Sequence, residues 1–259
     1  MARRRFFVDA IERGHARITG EDAHHLTRVL RVEPGQQFEI SDNQNVYLAE
    51  VETARKDLVS FAILNQIGAE APVVHTALFA ALIKFERFEW MLEKATELGV
   101  GEVTPVQTDR SEKGLERAVG KRLARWQRIA REASEQSRRA RLPRIELPID
   151  LADVLRDQEG YRYALDEAGG QPILSAFPEM RHLRDRVALL VGPEGGWTDR
   201  ERSGIRASGW TAVSLGDNIL RAETAALAAL AIVNAAWQPA APKPQPSNSS
   251  IDTSAERSL

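Results

Sequence analysis

An α/β domain preceded by a small β-rich domain is the fold that this sequence predicts, and three observations carry the prediction. From Val73 to Trp237 short apolar runs alternate with helical stretches, the pattern of strands buried in a mostly parallel sheet. Before residue 70 the apolar stretches are brief, alternating and punctuated by turn residues, which reads as a barrel-like β domain. Two strand–glycine–helix junctions, at 187–198 and 213–225, stand where open α/β sheets hold their ligands.

In the first 70 residues the strand candidates are Phe6-Phe7-Val8, Ala16-Arg17-Ile18, Gln37 to Ile40, Val46 to Val51 and Val59 to Leu64, with turns at Pro34-Gly35 and Ser41-Asp42-Asn43. Asp22 is positioned to cap a short helix in which Leu26, Val29 and Leu30 share a face. A short linker near 68–72 follows. The buried strand Val73–Leu82 then leads to a helix from Phe85 to Leu98 that ends at Gly99. Strands at Val103–Val106, Tyr163–Leu165, Val187–Val191 and Ala212–Leu215 alternate with helices at about Glu116–Arg138, after Thr198, and from Glu223 to Trp237. From Pro239 the chain turns to Pro, Ser, Ala and Gln without periodicity, so 240–259 is expected to be a disordered tail. The expected organisation is therefore 1–70, 71–239 and 240–259, with no internal repeat.

At 259 residues, 43% hydrophobic and 28% charged, the chain has the composition of an ordinary globular protein, and no apolar run approaches the length of a membrane span. The basic start, Arg3-Arg4-Arg5, runs into a mixed segment without a signal-peptide core, so a cytoplasmic address is expected. With no cysteine, disulfides, thiolate metal sites and cysteine nucleophiles are excluded. Net charge is only −2, but Arg117 to Arg144 contains ten Lys or Arg against Glu132 and Glu135. A smaller excess lies in the first 31 residues, and two basic patches on an acidic body suggest an anionic partner.

The junction Val187-Ala188-Leu189-Leu190-Val191-Gly192-Pro193-Glu194-Gly195-Gly196-Trp197-Thr198 runs from a buried strand into a glycine turn, with Thr198, Asp199 and Glu201 suited to cap the next helix. It lacks the Lys-Ser/Thr pair of a P-loop and the spacing of a dinucleotide fingerprint, and Glu194 would repel an anion. Glycines beside a carboxylate better suit hydroxyls, an adenine edge or a positive charge. A plain strand-to-helix turn is the bland alternative. The second junction, Val213-Ser214-Leu215-Gly216-Asp217-Asn218-Ile219-Leu220-Arg221-Ala222-Glu223-Thr224-Ala225, sets Arg221 at the entrance of an alanine-rich helix. Arg221 is either a functional cation or a structural partner of Glu223 or Glu194.

Taken together these segments resemble the cofactor loops of the SPOUT class of RNA methyltransferases. From near the first residue to about 237 the chain is similar to the 16S ribosomal RNA (uracil N3) methyltransferase family. The resemblance is carried by Arg5-Phe6-Phe7, His25 to Arg31, Lys84 to Glu89 running on to Lys94-Ala95-Thr96-Glu97-Leu98-Gly99-Val100, Arg125-Trp126 with Glu132-Ala133 and Glu135-Gln136, and both junctions, in this order. It implies a PUA-like β-barrel for RNA at 1–70 and a SPOUT-type α/β domain with a trefoil knot at 71–239. It also implies S-adenosylmethionine as cofactor without a metal, 16S ribosomal RNA or the small ribosomal subunit as partner, and a homodimer with its sites at the subunit interface. Cofactor contacts then fall on Leu165, on Leu190, Val191, Gly192, Pro193, Glu194, Gly195 and Gly196, and on Leu215, Gly216, Ile219, Leu220 and Arg221. The sequence departs from the family pattern at Glu112-Lys113-Gly114 and at Asp166-Glu167-Ala168-Gly169-Gly170, and for those two loops the resemblance assigns no contact.

Methylation of uracil at carbon by the thiolate route needs a cysteine, which is absent. Direct attack by N3 needs only loss of its proton and stabilisation of the charge spread over O2, N3 and O4. Arg221 is the candidate for the second task. Glu194 and Glu223 are candidate proton acceptors beside water, and the sequence does not choose between them. His24, His25 and His75 are read as structural or RNA-facing. On the long helix Val119, Leu123, Trp126, Ala130 and Ala133 form an apolar stripe, leaving Arg125 and Arg128 for the RNA backbone. Arg5, Arg28, Arg31, Lys84 and Arg110 complete the expected RNA-contacting set. Two rivals stand beside this reading: another SPOUT enzyme acting on ribose 2′-oxygen or transfer RNA, and a non-catalytic ribosome-assembly factor.

Overall fold

The computed structural model describes residues 4–69, 71–112, 114–156 and 159–239; the expected tail, 240–259, lies outside the described residues. The N-terminal sheet is built from β1 (Arg5–Phe7), β2 (Ile11–Glu12), β3 (His15–Thr19), β4 (Gln37–Ser41), β5 (Val46–Arg55) and β6 (Leu58–Ile67), with helix α1 (Gly20–Arg28) between β3 and β4. Its strand order is β1-β4-β5-β6-β3-β2. Only β1 and β4 run parallel; the other neighbours are antiparallel. Register shifts in the β5–β6 pair at Leu48/Ala49 and Val51/Thr53 bend this long hairpin. The curved sheet and α1 enclose Phe6, Ile18, Leu26, Ile40, Val51 and Phe61.

Two details of α1 depart from the sequence reading. Its N-cap is Thr19, so Asp22 lies within the first turn, where it faces the positive end of the helix dipole. Val29 is the C-cap and 62% exposed, because the helix stops before the turn that would bring Val29 onto the face of Leu26.

The second unit contains β7 (His75–Ala81), α2 (Phe85–Glu97), β8 (Glu102–Gln107), α3 (Leu115–Gln136), β9 (Arg144–Ile145), β10 (Ile149–Asp150), α4 (Leu151–Val154), β11 (Tyr161–Leu165), β12 (Gln171–Pro172), α5 (Ile173–Ala176), β13 (Arg186–Val191), α6 (Asp199–Ala207), β14 (Thr211–Ser214) and α7 (Ala222–Trp237). Seven strands follow the order β10-β8-β7-β13-β11-β14-β12, β9 pairs beside β8, and every pairing is parallel. Such a sheet must be covered on both faces, and strand alternation divides its side chains between two cores. Leu78, Ala80, Leu189 and Val191 meet α2, α3 and α7 through Phe88, Leu92, Trp126, Leu230 and Val233. Ala77, Phe79, Ala188 and Leu190 meet the opposite layer through Val154, Trp197, Ile205 and Trp210. Gly99, at φ +89°, ends α2 in the left-handed conformation that glycine adopts without a Cβ clash.

The N-terminal sheet docks on the C-terminal end of α3. Arg5 is buried there: its Nε and Nη2 donate to Glu39 at 3.1 and 2.8 Å, and its Nη1 donates to the carbonyl of Arg138 at 2.6 Å. Arg138 reaches the other oxygen of Glu39 at 2.5 Å. Ser41 donates to the Ala140 carbonyl, and Arg131 to that of Phe7. Arg5, expected at the RNA face, is thus a joint between the two sheets. Among the described residues no helix is long and apolar enough to cross a membrane.

Candidate functional site

Strand order brings the two junctions together. β11 lies between β13 and β14, and the registers Ala164↔Leu190 and Leu165↔Val213 keep the three carboxyl ends level. The turn after β13 and the turn after β14 therefore flank the end of β11, and between them lies one solvent-open cavity.

The 192–198 turn is held from several sides. Trp197 is buried, and its indole N–H donates to the Leu165 carbonyl at 2.8 Å. A Cβ on Gly192 would stand 3.0 Å from that ring, so any side chain there would crowd the indole. Thr198 and Glu201 form a reciprocal capping box on α6, and Glu201 also accepts from the Asp109 backbone N–H at 2.8 Å. Arg110 donates through Nη1 to the Gly195 carbonyl at 2.5 Å and to the Trp197 carbonyl at 3.4 Å. Arg87, from the first turn of α2, forms an ion pair with Glu194. The second turn is held by Ser214, whose hydroxyl donates to the Gly216 carbonyl at 3.1 Å and accepts from the Gly216 N–H at 3.2 Å.

Of the expected cofactor contacts, Leu165, Val191, Gly192, Pro193, Gly196, Leu215, Gly216, Ile219 and Leu220 line the cavity; Leu190, Glu194, Gly195 and Arg221 do not. Leu190 faces the sheet core under α6, and Glu194 is drawn outward by Arg87. The sequence reading missed Asp166, Glu167, Trp197, Val213, Ser214, Ala222 and Ala225 as lining residues. Register could have found Asp166 and Glu167, since they directly follow the strand between the two junctions. The walls are mainly aliphatic and the glycines open the backbone to a ligand, while among the described residues no lysine or arginine lines the space. This donor set fits an adenosyl group bearing a positive sulfonium better than a phosphorylated nucleotide.

Arg221 is the N-cap of α7, exposed, and its side chain makes no hydrogen bond or ion pair among the described residues. The structural partnership with Glu194 or Glu223 is therefore not made. Glu223, in the first turn of α7, is 6% exposed, and its Oε2 is buried without a hydrogen-bond partner. It is sealed from the cavity, contrary to the expectation that it might reach a substrate. Among the described residues no group of three or more His, Asp and Glu side chains is arranged to hold a metal ion.

The basic face of α3 is more heavily paired than its local sequence suggests. Arg122 and Arg125 bind the buried carboxylate of Glu89 at 3.3 and 2.8 Å. Arg128 meets Glu132 at 2.9 Å and Glu21 at 3.8 Å, and Arg139 donates to the carbonyls of Thr96 and Val100. By contrast Arg28, Arg31 and Lys84 are exposed, with no side-chain partner among the described residues. Arg31 also holds φ at +51°, a left-handed conformation that is uncommon for a residue other than glycine.

A family model described as RNA methyltransferase domain matches residues 69–234, and one described as RNA methyltransferase PUA domain matches 18–64. A Synechocystis protein named ribosomal RNA small subunit methyltransferase E is 35% identical over 84% of this chain and 72% of its own length. The crystal structure of a protein of that name from Neisseria gonorrhoeae, bound to S-adenosyl methionine, is similar with a TM-score of 0.78 and 29% identity, covering 91% of this chain and 98% of the other. A methyltransferase from Legionella pneumophila in complex with bound S-adenosylmethionine gives a TM-score of 0.82 at 28% identity, with the same coverage.

Proposed function

This chain belongs to the RNA methyltransferase family, and from that premise we propose that it transfers a methyl group from S-adenosylmethionine to N3 of a uridine in 16S ribosomal RNA. The observation that carries the reading is the single cavity between the turns at 192–197 and 214–220, aliphatic in its walls and free of lining cations. Leu165, Val191, Leu215 and Ala225 would hold the adenosyl group, and Gly192, Gly196 and Gly216 would let the backbone approach it. When bound, the cofactor supplies an electrophilic methyl whose C–S bond breaks with its electron pair staying on sulfur.

The chain's own residues then have two tasks. Arg221, exposed and unpaired at the start of α7, is the guanidinium that stabilises negative charge on the uracil ring as the N3 proton leaves. Glu194 is the remaining side-chain candidate for acceptor of that proton, with water as the alternative, and would have to leave its pair with Arg87 to reach the base; Glu223 is sealed. Arg28, Arg31 and Lys84 are the leading contacts for the RNA backbone, with Arg128 beside them.

The rest of the assignment follows the family. The folded units are 1–70 and 71–239, and β13 lying between β7 and the earlier strand β11 supports a knotted path through the cofactor site. The chain acts as a homodimer in the cytoplasm. Ile219, 85% exposed, and Leu220 on the rim support a second copy covering that edge. Incubation of the protein with S-adenosylmethionine and small ribosomal subunits or bare 16S RNA, followed by nucleoside mass spectrometry, tests the reading. The expected product is 3-methyluridine; methylation solely on ribose, or methylation of transfer RNA supplied in a parallel incubation with none on 16S RNA, would replace the assignment with one of its rivals.

A further inference from the structure

The cofactor cavity carries charge of one sign. Among the described residues, Asp166 and Glu167 are its only ionisable lining residues. Asp166 is buried and already neutralised: Arg202 Nε donates to its two oxygens at 3.1 and 3.2 Å, and the Ala168 N–H donates to Oδ1 at 3.2 Å. Glu167 is not. Its nearest cation is the same guanidinium, 3.8 Å away, and that guanidinium also meets Asp199 at 3.5 Å. One positive charge thus serves three carboxylates. Arg206 comes close to the loop at Gly169 but does not line the cavity.

Glu167 stands at the glycine turn itself, with its Oε1 2.9 Å from where a Cβ on Gly196 would lie. Its carboxylate therefore borders the space any ligand of this cavity occupies. At neutral pH S-adenosylmethionine has a net charge of +1, from its sulfonium and its zwitterionic amino-acid end. The thioether left after methyl transfer keeps that amino-acid end and is net neutral. A carboxylate on the cavity wall attracts the first and not the second, whatever the pose of the amino-acid end, because that end is common to both.

We infer that Glu167 is the residue by which this chain discriminates the sulfonium cofactor from the thioether product, so that loss of the methyl group also removes the charge that helps retain the ligand. The inference rests on the reading of the cavity as the S-adenosylmethionine site.

Calorimetric titration of wild type, Glu167→Gln and Glu167→Asp with S-adenosylmethionine and with S-adenosylhomocysteine tests it. The glutamine variant is nearly isosteric and replaces a half-exposed side chain, and circular dichroism checks that it folds. In that variant the ratio of the sulfonium Kd to the thioether Kd is expected to rise roughly three- to tenfold, the size of a screened charge interaction in a solvent-open cavity. The change comes mainly from weaker sulfonium binding, and the aspartate variant retains a ratio nearer the wild type. Equal weakening of both ligands, or an unchanged ratio, overturns the role of Glu167 alone. Failure of the wild type to bind either ligand overturns the reading of the cavity, and this inference with it.

Discussion

Arg87 and Glu194 form an ion pair that ties the first turn of α2 to the glycine turn of the cofactor cavity. The pair turns Glu194 away from the ligand space, although the local sequence sets it among the cavity glycines. Both side chains are more than a third exposed, so the pair contributes little to global stability.

For Arg87→Met we therefore expect a stability change below about 1 kcal/mol, but faster amide exchange at Gly195 and Gly196 and weaker cofactor binding. Hydrogen-exchange mass spectrometry of the 192–198 turn checks this. Unchanged exchange there would mean that Arg110 and the capping box hold the turn by themselves.

Arg221→Ala should keep S-adenosylmethionine affinity within about tenfold of wild type while turnover falls by roughly a hundredfold or more, the pattern of a group acting on charge that develops in the transition state. Single-turnover methylation beside equilibrium binding separates the two effects. Normal turnover would remove Arg221 from the reaction.

The arginines of α1 and α3 should respond differently to charge reversal. Arg28→Glu with Arg31→Glu is expected to weaken RNA binding and to lower the salt slope by about one for each lost phosphate contact, with no loss of stability. Arg125→Glu would set a carboxylate beside the buried Glu89, leaving Arg122 as its remaining partner, and is expected to lower the melting temperature. Filter binding across a salt series, with thermal denaturation of the same variants, distinguishes these outcomes.

Glu135 sits where α3 meets the N-terminal sheet, and burial pushes its carboxyl up to about 7, while a backbone hydrogen bond from Phe7 and the charge of Arg131 act in the opposite sense. An acid whose folded-state pKa is raised favours the folded state when protonated. Its contribution is therefore greatest below its unfolded value and is lost as pH rises through the window up to about 7. Glu135→Gln should gain stability relative to wild type on going from pH 5 to pH 8, by on the order of 1–3 kcal/mol. Denaturant unfolding at both pH values measures the difference, and a pH-independent difference would contradict it.

Much of this architecture was legible because periodicity is local. The run Leu189-Leu190-Val191 followed by Gly192, and the alternation of strands with helices, predicted the parallel sheet and both turns that now border one cavity. Pairing is not local. The ten basic residues of 117–144 read as a free patch because Glu89, Glu21 and Glu39, which neutralise several of them, come from distant segments. Arg5 was misread for the same reason, its partners being Glu39 and the carbonyl of Arg138. Asp166 and Glu167 were passed over because the loop after β11 matched no motif, yet strand order sets that loop between the two glycine turns.

The most direct test of the central claim is isothermal titration of the folded wild-type chain with S-adenosylmethionine, repeated on a variant in which Gly192 is replaced by valine. The cavity described here predicts one saturable site per chain in the wild type and its loss in the variant, since a side chain at 192 would meet the Trp197 ring. Absence of binding by the folded wild-type protein, or undiminished binding by a folded Gly192→Val variant, would contradict it.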